Sequence, residues 1–139
     1  MKKIALLLVL CLTVFISTQA QNVEVYNYKF YAQYDAQGNK MSSNSTGLLV
    51  SISHLTDIYG RTTVILTGTE SITIAGIPTP GAPLCPINDR FYYTGVDNGW
   101  RVFCWGNTKR VLISSDTNIA RVEYYGFNGN LSYYTEYRK

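Results

Sequence analysis

"FYYTGVDNGWRVFCW", Phe91 to Trp105, is the stretch on which the fold turns. Aromatic and β-branched residues run on either side of Asn98-Gly99, a pair that tolerates positive φ at both positions and favours a two-residue hairpin turn. Such a turn sets Asp97 opposite Trp100, Tyr93 opposite Cys104 and Tyr92 opposite Trp105. Strict alternation then puts Phe91, Tyr93, Trp100, Val102 and Cys104 on one face of the hairpin. Tyr92, Thr94, Val96, Arg101, Phe103 and Trp105 fall on the other.

The same device recurs downstream. In "ARVEYYGFNGNLSYYTEY", Ala120 to Tyr137, Asn128-Gly129 sits between two alternating runs. A turn there pairs Tyr124 with Tyr133 and Arg121 with Glu136, both favourable cross-strand combinations. "KRVLIS", Lys109 to Ser114, is a strand between the two hairpins, and "SDTN" after it is a polar turn. Upstream, period two continues through "VEVYNYKFYAQY" (Val23–Tyr34), "LLVSISHL" (Leu48–Leu55) and "TTVILTGTESITIAGI" (Thr62–Ile77). Between them lie runs of Gly, Asn, Asp and Ser, the residues of turns. All four prolines crowd into "PTPGAPLCPIND", Pro78 to Asp89; lacking N–H donors, they make that stretch a loop or an edge. The expectation is all-β: roughly eight antiparallel strands in a meander, closed as a small barrel or stacked as a two-sheet sandwich.

The first twenty residues stand apart. Lys2 and Lys3 precede an apolar run from Ile4 to Ile16, and Thr18-Gln19-Ala20 is a small-residue cleavage site, the layout of a secretory signal peptide. The apolar run is shorter than the ~20 residues of a membrane-spanning helix, so no membrane span is expected. Residues 21–139 then form a single all-β domain, exported to the periplasm or the extracellular space. Export implies an oxidising compartment, in which Cys85 and Cys104 are expected to form a disulfide closing the proline-rich loop.

Charge excludes one class of partner. The chain carries 12 Lys+Arg against 9 Asp+Glu, and loss of Lys2 and Lys3 leaves 10 against 9. No basic cluster remains, so no nucleic-acid partner is expected. Catalytic equipment is sparse as well. His54 is the only histidine; without an identifiable nucleophile or orienting group it reads as a partly buried strand-end residue. One histidine and a cysteine pair do not make a zinc site, and the short Asp/Asn runs at 97–98 and 116–118 are first of all turn chemistry. No catalytic residues, metal or cofactor are expected.

Tyrosine is what stands out: all twelve follow the first twenty residues. If the cysteine-bearing face of the 91–105 hairpin is core, its other face presents Tyr92, Phe103 and Trp105 as an aromatic strip beside Arg101. Tyr125 and Tyr134 of the last hairpin extend it. Rigid aromatics on a sheet suit stacking on sugar rings or anchoring a protein. The expected function is therefore an exported, non-enzymatic binding module for a glycan or protein. The alternative is an inhibitor of an exported hydrolase acting through residues 76–89, a segment stiffened by prolines.

The second half, in "YYTGVDNGWRVF" (Tyr92–Phe103), "LISSD" (Leu112–Asp116) and "YYTEYRK" (Tyr133–Lys139), resembles a group of small, uncharacterised exported β-proteins of Gram-negative bacteria. "YNYKFYAQYDAQGNK" near the start of the expected domain is similar to them too. The resemblance implies export and an all-β fold and assigns no functional residues.

Overall fold

In the computed structural model, which describes residues 22–43, 46–74 and 77–139, the chain is all-β. The expected signal peptide lies outside the described residues. Ten strands follow in order: β1 (Asn22–Asp35), β2 (Lys40–Ser42), β3 (Thr46–Thr56), β4 (Thr62–Ile74) and β5 (Ile77–Pro83). Then come β6 (Phe91–Asp97), β7 (Trp100–Trp105), β8 (Lys109–Ser114), β9 (Ile119–Tyr125) and β10 (Leu131–Arg138). Neighbours pair antiparallel in the order β10-β9-β8-β7-β6-β4-β3-β1, and β1 also pairs with β10. That last pairing, from Lys29↔Arg138 to Asp35↔Tyr133, closes eight strands into an up-and-down barrel and removes the edges an open sheet would expose. Strands β2 and β5 are extra, lying outside the ring on β1 and β4. No helix of the described residues is long and apolar enough to cross a membrane.

Alternation sends one side chain in two to the barrel interior. Tyr28, Leu48, Val50, Ile52, Leu66, Phe91, Phe103, Val111, Ile113, Val122 and Tyr137 make a continuous core, each fully buried. An eight-stranded barrel is just wide enough for such side chains to fill it, or to leave room for one small ligand.

Two bulges re-aim side chains. In β1 the register against β10 shifts between Phe30 and Ala32. Tyr26, Tyr28 and Phe30 therefore face the core, while Ala32 and Tyr34 fall in with Glu136 and Tyr134 on the outer wall. The second bulge lies between Tyr93 and Gly95, where Gly95 takes φ 135°. Asn98 (φ 47°) and Gly99 (φ 82°) do make the expected turn with Asp97 opposite Trp100. Beyond the bulge, however, Cys104 faces Tyr92, and Tyr93 faces Phe103. The last hairpin keeps the expected register, Tyr124↔Tyr133 and Arg121↔Glu136, by a different route. Its loop is one residue longer, with Gly126 N–H donating to the Asn130 carbonyl, and a bulge before Tyr133 restores the pairing.

The proline-rich stretch is an edge, as its missing donors demand. β5 pairs only with the far half of β4, and Gly81 lies so close to it that a Cβ would land on the Glu70 carbonyl. β4 meets β6 over just Ile65↔Tyr92 and Leu66↔Phe91. Above that short seam the wall is completed by Leu84 and Cys85, which fold in from the end of β5 and are buried. Leu84 N–H donates to the Gly68 carbonyl at 2.9 Å, and Lys109 Nζ donates to the Leu84 carbonyl.

Candidate functional site

The six residues expected to form one aromatic strip are divided by the barrel wall. Phe103 is fully buried in the core and Trp105 packs against it. Arg101 also turns inward, donating to both oxygens of Glu24 at 3.3 and 3.0 Å. Tyr92, Tyr125 and Tyr134 are on the outside. The correction comes from the bulge at Thr94–Gly95: it puts Tyr92 on the same face as Cys104, so Phe103 and Trp105 take the interior.

The structure shows no disulfide between the cysteines, and the same bulge decides which way Cys104 faces. Cys85 sits in the core, its Sγ against the Asp89 carbonyl at 3.2 Å, while Cys104 faces outward beside Thr94. Both are free thiols, and no bond joins them. Burial first, then the nearby Asp89, raises the Cys85 thiol above its ordinary range.

On the outer wall one row runs across six strands: Tyr92, Cys104, Arg110, Glu123, Tyr134 and Tyr34. Its aromatic faces are largely taken. Arg121 lies between the rings of Trp100 (5.1 Å) and Tyr134 (4.5 Å), and Tyr34 stacks on Tyr134 at 5.1 Å. Arg110 covers Tyr125 at 5.2 Å and binds Glu123, whose Oε2 also accepts the Tyr125 hydroxyl at 2.6 Å. Burial, then that bond, pushes the Tyr125 phenol up to about 12. Rings clamped by guanidinium groups gain cation–π energy within the chain and offer less open face to a sugar. Tyr92, 54 % exposed, is the candidate left open.

Inside, the two ends of the barrel differ. At the end where β1 begins, Glu24 gathers Arg101, the Tyr26 hydroxyl (2.5 Å) and His54 Nε2 (2.8 Å). His54 reaches it from β3, where Leu48, Val50, Ile52 and His54 all point inward as their spacing requires. Burial pushes the Glu24 carboxyl up, but the bonds from Tyr26, His54 and Arg101, with the guanidinium charge, outweigh it and hold it at about 2. This end is a polar plug, in which the buried Tyr28 hydroxyl alone finds no hydrogen-bond partner among the described residues near Glu24.

The other end holds a cavity of about 210 Å³. Its floor and one wall are Phe30, Tyr124, Tyr133 and Tyr137; Gln33, Ser42, Thr46 and Thr135 supply polar groups around them. Glu70 of β4 lines it as well. Tyr137 donates to Glu70 Oε1 at 2.8 Å and Tyr124 to the same oxygen at 3.4 Å. Burial, then the charge of Glu70, raises both phenols, so they remain hydroxyl donors through the whole neutral range. Tyr133 stacks on Tyr124 with ring centroids 4.4 Å apart, fixing the wall, and Phe30 meets Tyr137 edge-on at 5.8 Å. Around the cavity β4 pairs with β5 on one side and with β3 on the other.

Glu70 was not among the expected site residues, although its signal was in the sequence. Val64, Leu66, Gly68 and Glu70 share one face of the strand. A lone carboxylate on the core side of an otherwise neutral strand is what a polar interior site looks like before folding.

Among the described residues, no three of His, Cys, Asp and Glu come together as a metal centre would need. Comparison with family models, with curated proteins and with solved structures finds no match.

Proposed function

We propose that this chain is an exported, non-enzymatic binding module that takes a small polar ligand into the Glu70 end of the barrel. The observation that supports it is the Glu70 carboxylate, oriented by two tyrosine hydroxyls inside an open, polar-lined cavity of about 210 Å³. That space has room for several waters. It lies below the ~300 Å³ at which drug-sized pockets begin, which sets the ligand's scale. Preorganised groups keep the ordering cost of binding low, and here every wall residue sits on a strand. Binding is favoured over catalysis because His54, the sole histidine, is engaged by Glu24 at the opposite end.

The test is a ligand-observed NMR screen of small sugars, alcohols, amines and carboxylates. Hits should vanish when Thr46→Phe plugs the cavity from β3 and survive Tyr92→Ala on the outer wall. Hits that survive the plug and vanish with Tyr92→Ala would move the site to the outer aromatic row and refute the reading.

The inhibitor reading keeps one supporting feature. Ile87, 84 % exposed, tips a tight turn in which Asp89 N–H donates to the Pro86 carbonyl, anchored by buried Leu84 and Cys85. An inhibitor would lose potency against its hydrolase in Ile87→Asp, whereas a ligand-binding barrel would be indifferent to that change.

A further inference from the structure

The chain has four glutamates, and three of them are neutralised by arginine. Glu24 pairs with Arg101, Glu123 with Arg110, and Glu136 with both Arg121 and Arg138. Glu70 is the exception: among the described residues no Lys, Arg or His lies within ion-pair distance of it. Its two partners are the neutral hydroxyls of Tyr124 and Tyr137, and both go to Oε1. Oε2 accepts no hydrogen bond from the described residues and is the open acceptor of the cavity. Lys109, which lies over the ring of one of these tyrosines, is engaged elsewhere. Its Nζ bonds the Leu84 carbonyl and lies over the rings of Tyr124 (5.1 Å) and Trp105 (5.8 Å).

A carboxylate taken partly out of water with no counter-charge is costly unless something positive completes it. The rest of the cavity is suited to the same partner. Phe30, Tyr133 and Tyr137 line the cavity, and a cation over the electron-rich face of an aromatic ring gains ~0.5–2 kcal/mol in general. Gln33, Ser42 and Thr135 supply acceptors for further N–H groups.

We infer that the ligand of the Glu70 cavity is a small organic ammonium ion, its N–H donors bonded to Glu70 Oε2 and its alkyl part against the tyrosine wall. This inference rests on the cavity being the ligand site. A neutral sugar or alcohol would leave the Glu70 charge uncompensated, and a carboxylate ligand would be repelled by it. The ammonium supplies from outside what arginine supplies to the other three glutamates.

The experiment titrates the full chain with propylammonium chloride and, separately, with 1-propanol and glucose, at pH 7 and constant ionic strength. It follows the ring resonances of Tyr124, Tyr133 and Tyr137. Propylammonium should shift all three saturably and bind at least tenfold more tightly than 1-propanol. Glu70→Gln should weaken propylammonium at least tenfold and cost 1-propanol much less, and a retained ring-resonance response to 1-propanol reports that the cavity is still formed. Should Glu70→Gln fail to fold, Ser42→Lys serves instead. Ser42 lies on the short outer strand β2, and a lysine there places an ammonium in the cavity, so propylammonium binding should be lost. Equal affinity for propylammonium and its neutral counterparts, or undiminished propylammonium binding in these variants, would overturn the inference while leaving the cavity as the site. No ring shift with any of the three probes would overturn the cavity reading itself.

Discussion

Lowering the pH from 7 to 2 brings Glu24, the carboxylate that ties β1, β3 and β7 together at the plugged end of the barrel, to about half protonation in the folded chain. Its carboxyl is held near 2 in the folded chain against an ordinary value of 4.5. Because the folded value is the lower one, the stabilisation is complete above about pH 5 and is lost as pH falls through the folded value. A difference of about 2.5 units at 1.36 kcal/mol each gives a ceiling of ~3 kcal/mol. The side chain is 26 % exposed, so water screens part of this, and ~1–2 kcal/mol is the expected size. For a domain of this length that corresponds to roughly 4–8 °C in Tm. The assay is thermal unfolding by circular dichroism at pH 7, 5, 3 and 2, for the wild type and Glu24→Gln. Other carboxylates titrate in both proteins, so the difference between them isolates this one. Glu24→Gln should melt lower at pH 7 and pH 5, with the gap shrinking at pH 3 and nearly closed at pH 2. A gap independent of pH would refute the account of Glu24 as an ionised hub; a gap that widens on acidification would reverse its sign.

Two further outcomes follow from the register of β6 and β7. Phe103→Ala should cost ~3–5 kcal/mol in urea unfolding because it empties a fully buried site, whereas Tyr92→Ala should stay within ~0.5 kcal/mol. Similar costs for both would mean that the bulge at Gly95 is misplaced. Titration of the native protein with a thiol reagent should find Cys104 reacting quickly and Cys85 only after unfolding, since Cys85 is buried with a raised pKa. Finding no free thiol after unfolding would restore the disulfide expected from the sequence.

The strands and the turn at Asn98-Gly99 were legible because they rest on local rules: period-two alternation and residues that accept positive φ. The register of the last hairpin was legible too, although its loop and bulge each differ by one residue and cancel. What the sequence did not disclose was non-local. Whether β1 returns to β10 decides barrel against sandwich, and no pattern within either strand states it. One extra residue before Gly95 was enough to exchange the inner and outer faces of β6 relative to β7. That slip moved Phe103 and Trp105 indoors and turned Cys104 outward. Tyr92, Tyr125 and Tyr134 lie on the outer wall, two of them with their rings covered by arginines on neighbouring strands. Glu70 could have been singled out from its inward phase. Its lack of a cationic partner is visible only once the other three glutamates have found theirs.

The most direct measurement is a crystal structure of the chain grown at high propylammonium concentration. Extra density should lie against Glu70 Oε2, bounded by Tyr133 and Tyr137, with the rings of Tyr34, Tyr125 and Tyr134 unoccupied. A cavity closed by protein side chains, or density on the outer row beside Tyr92 and none at Glu70, would contradict the account.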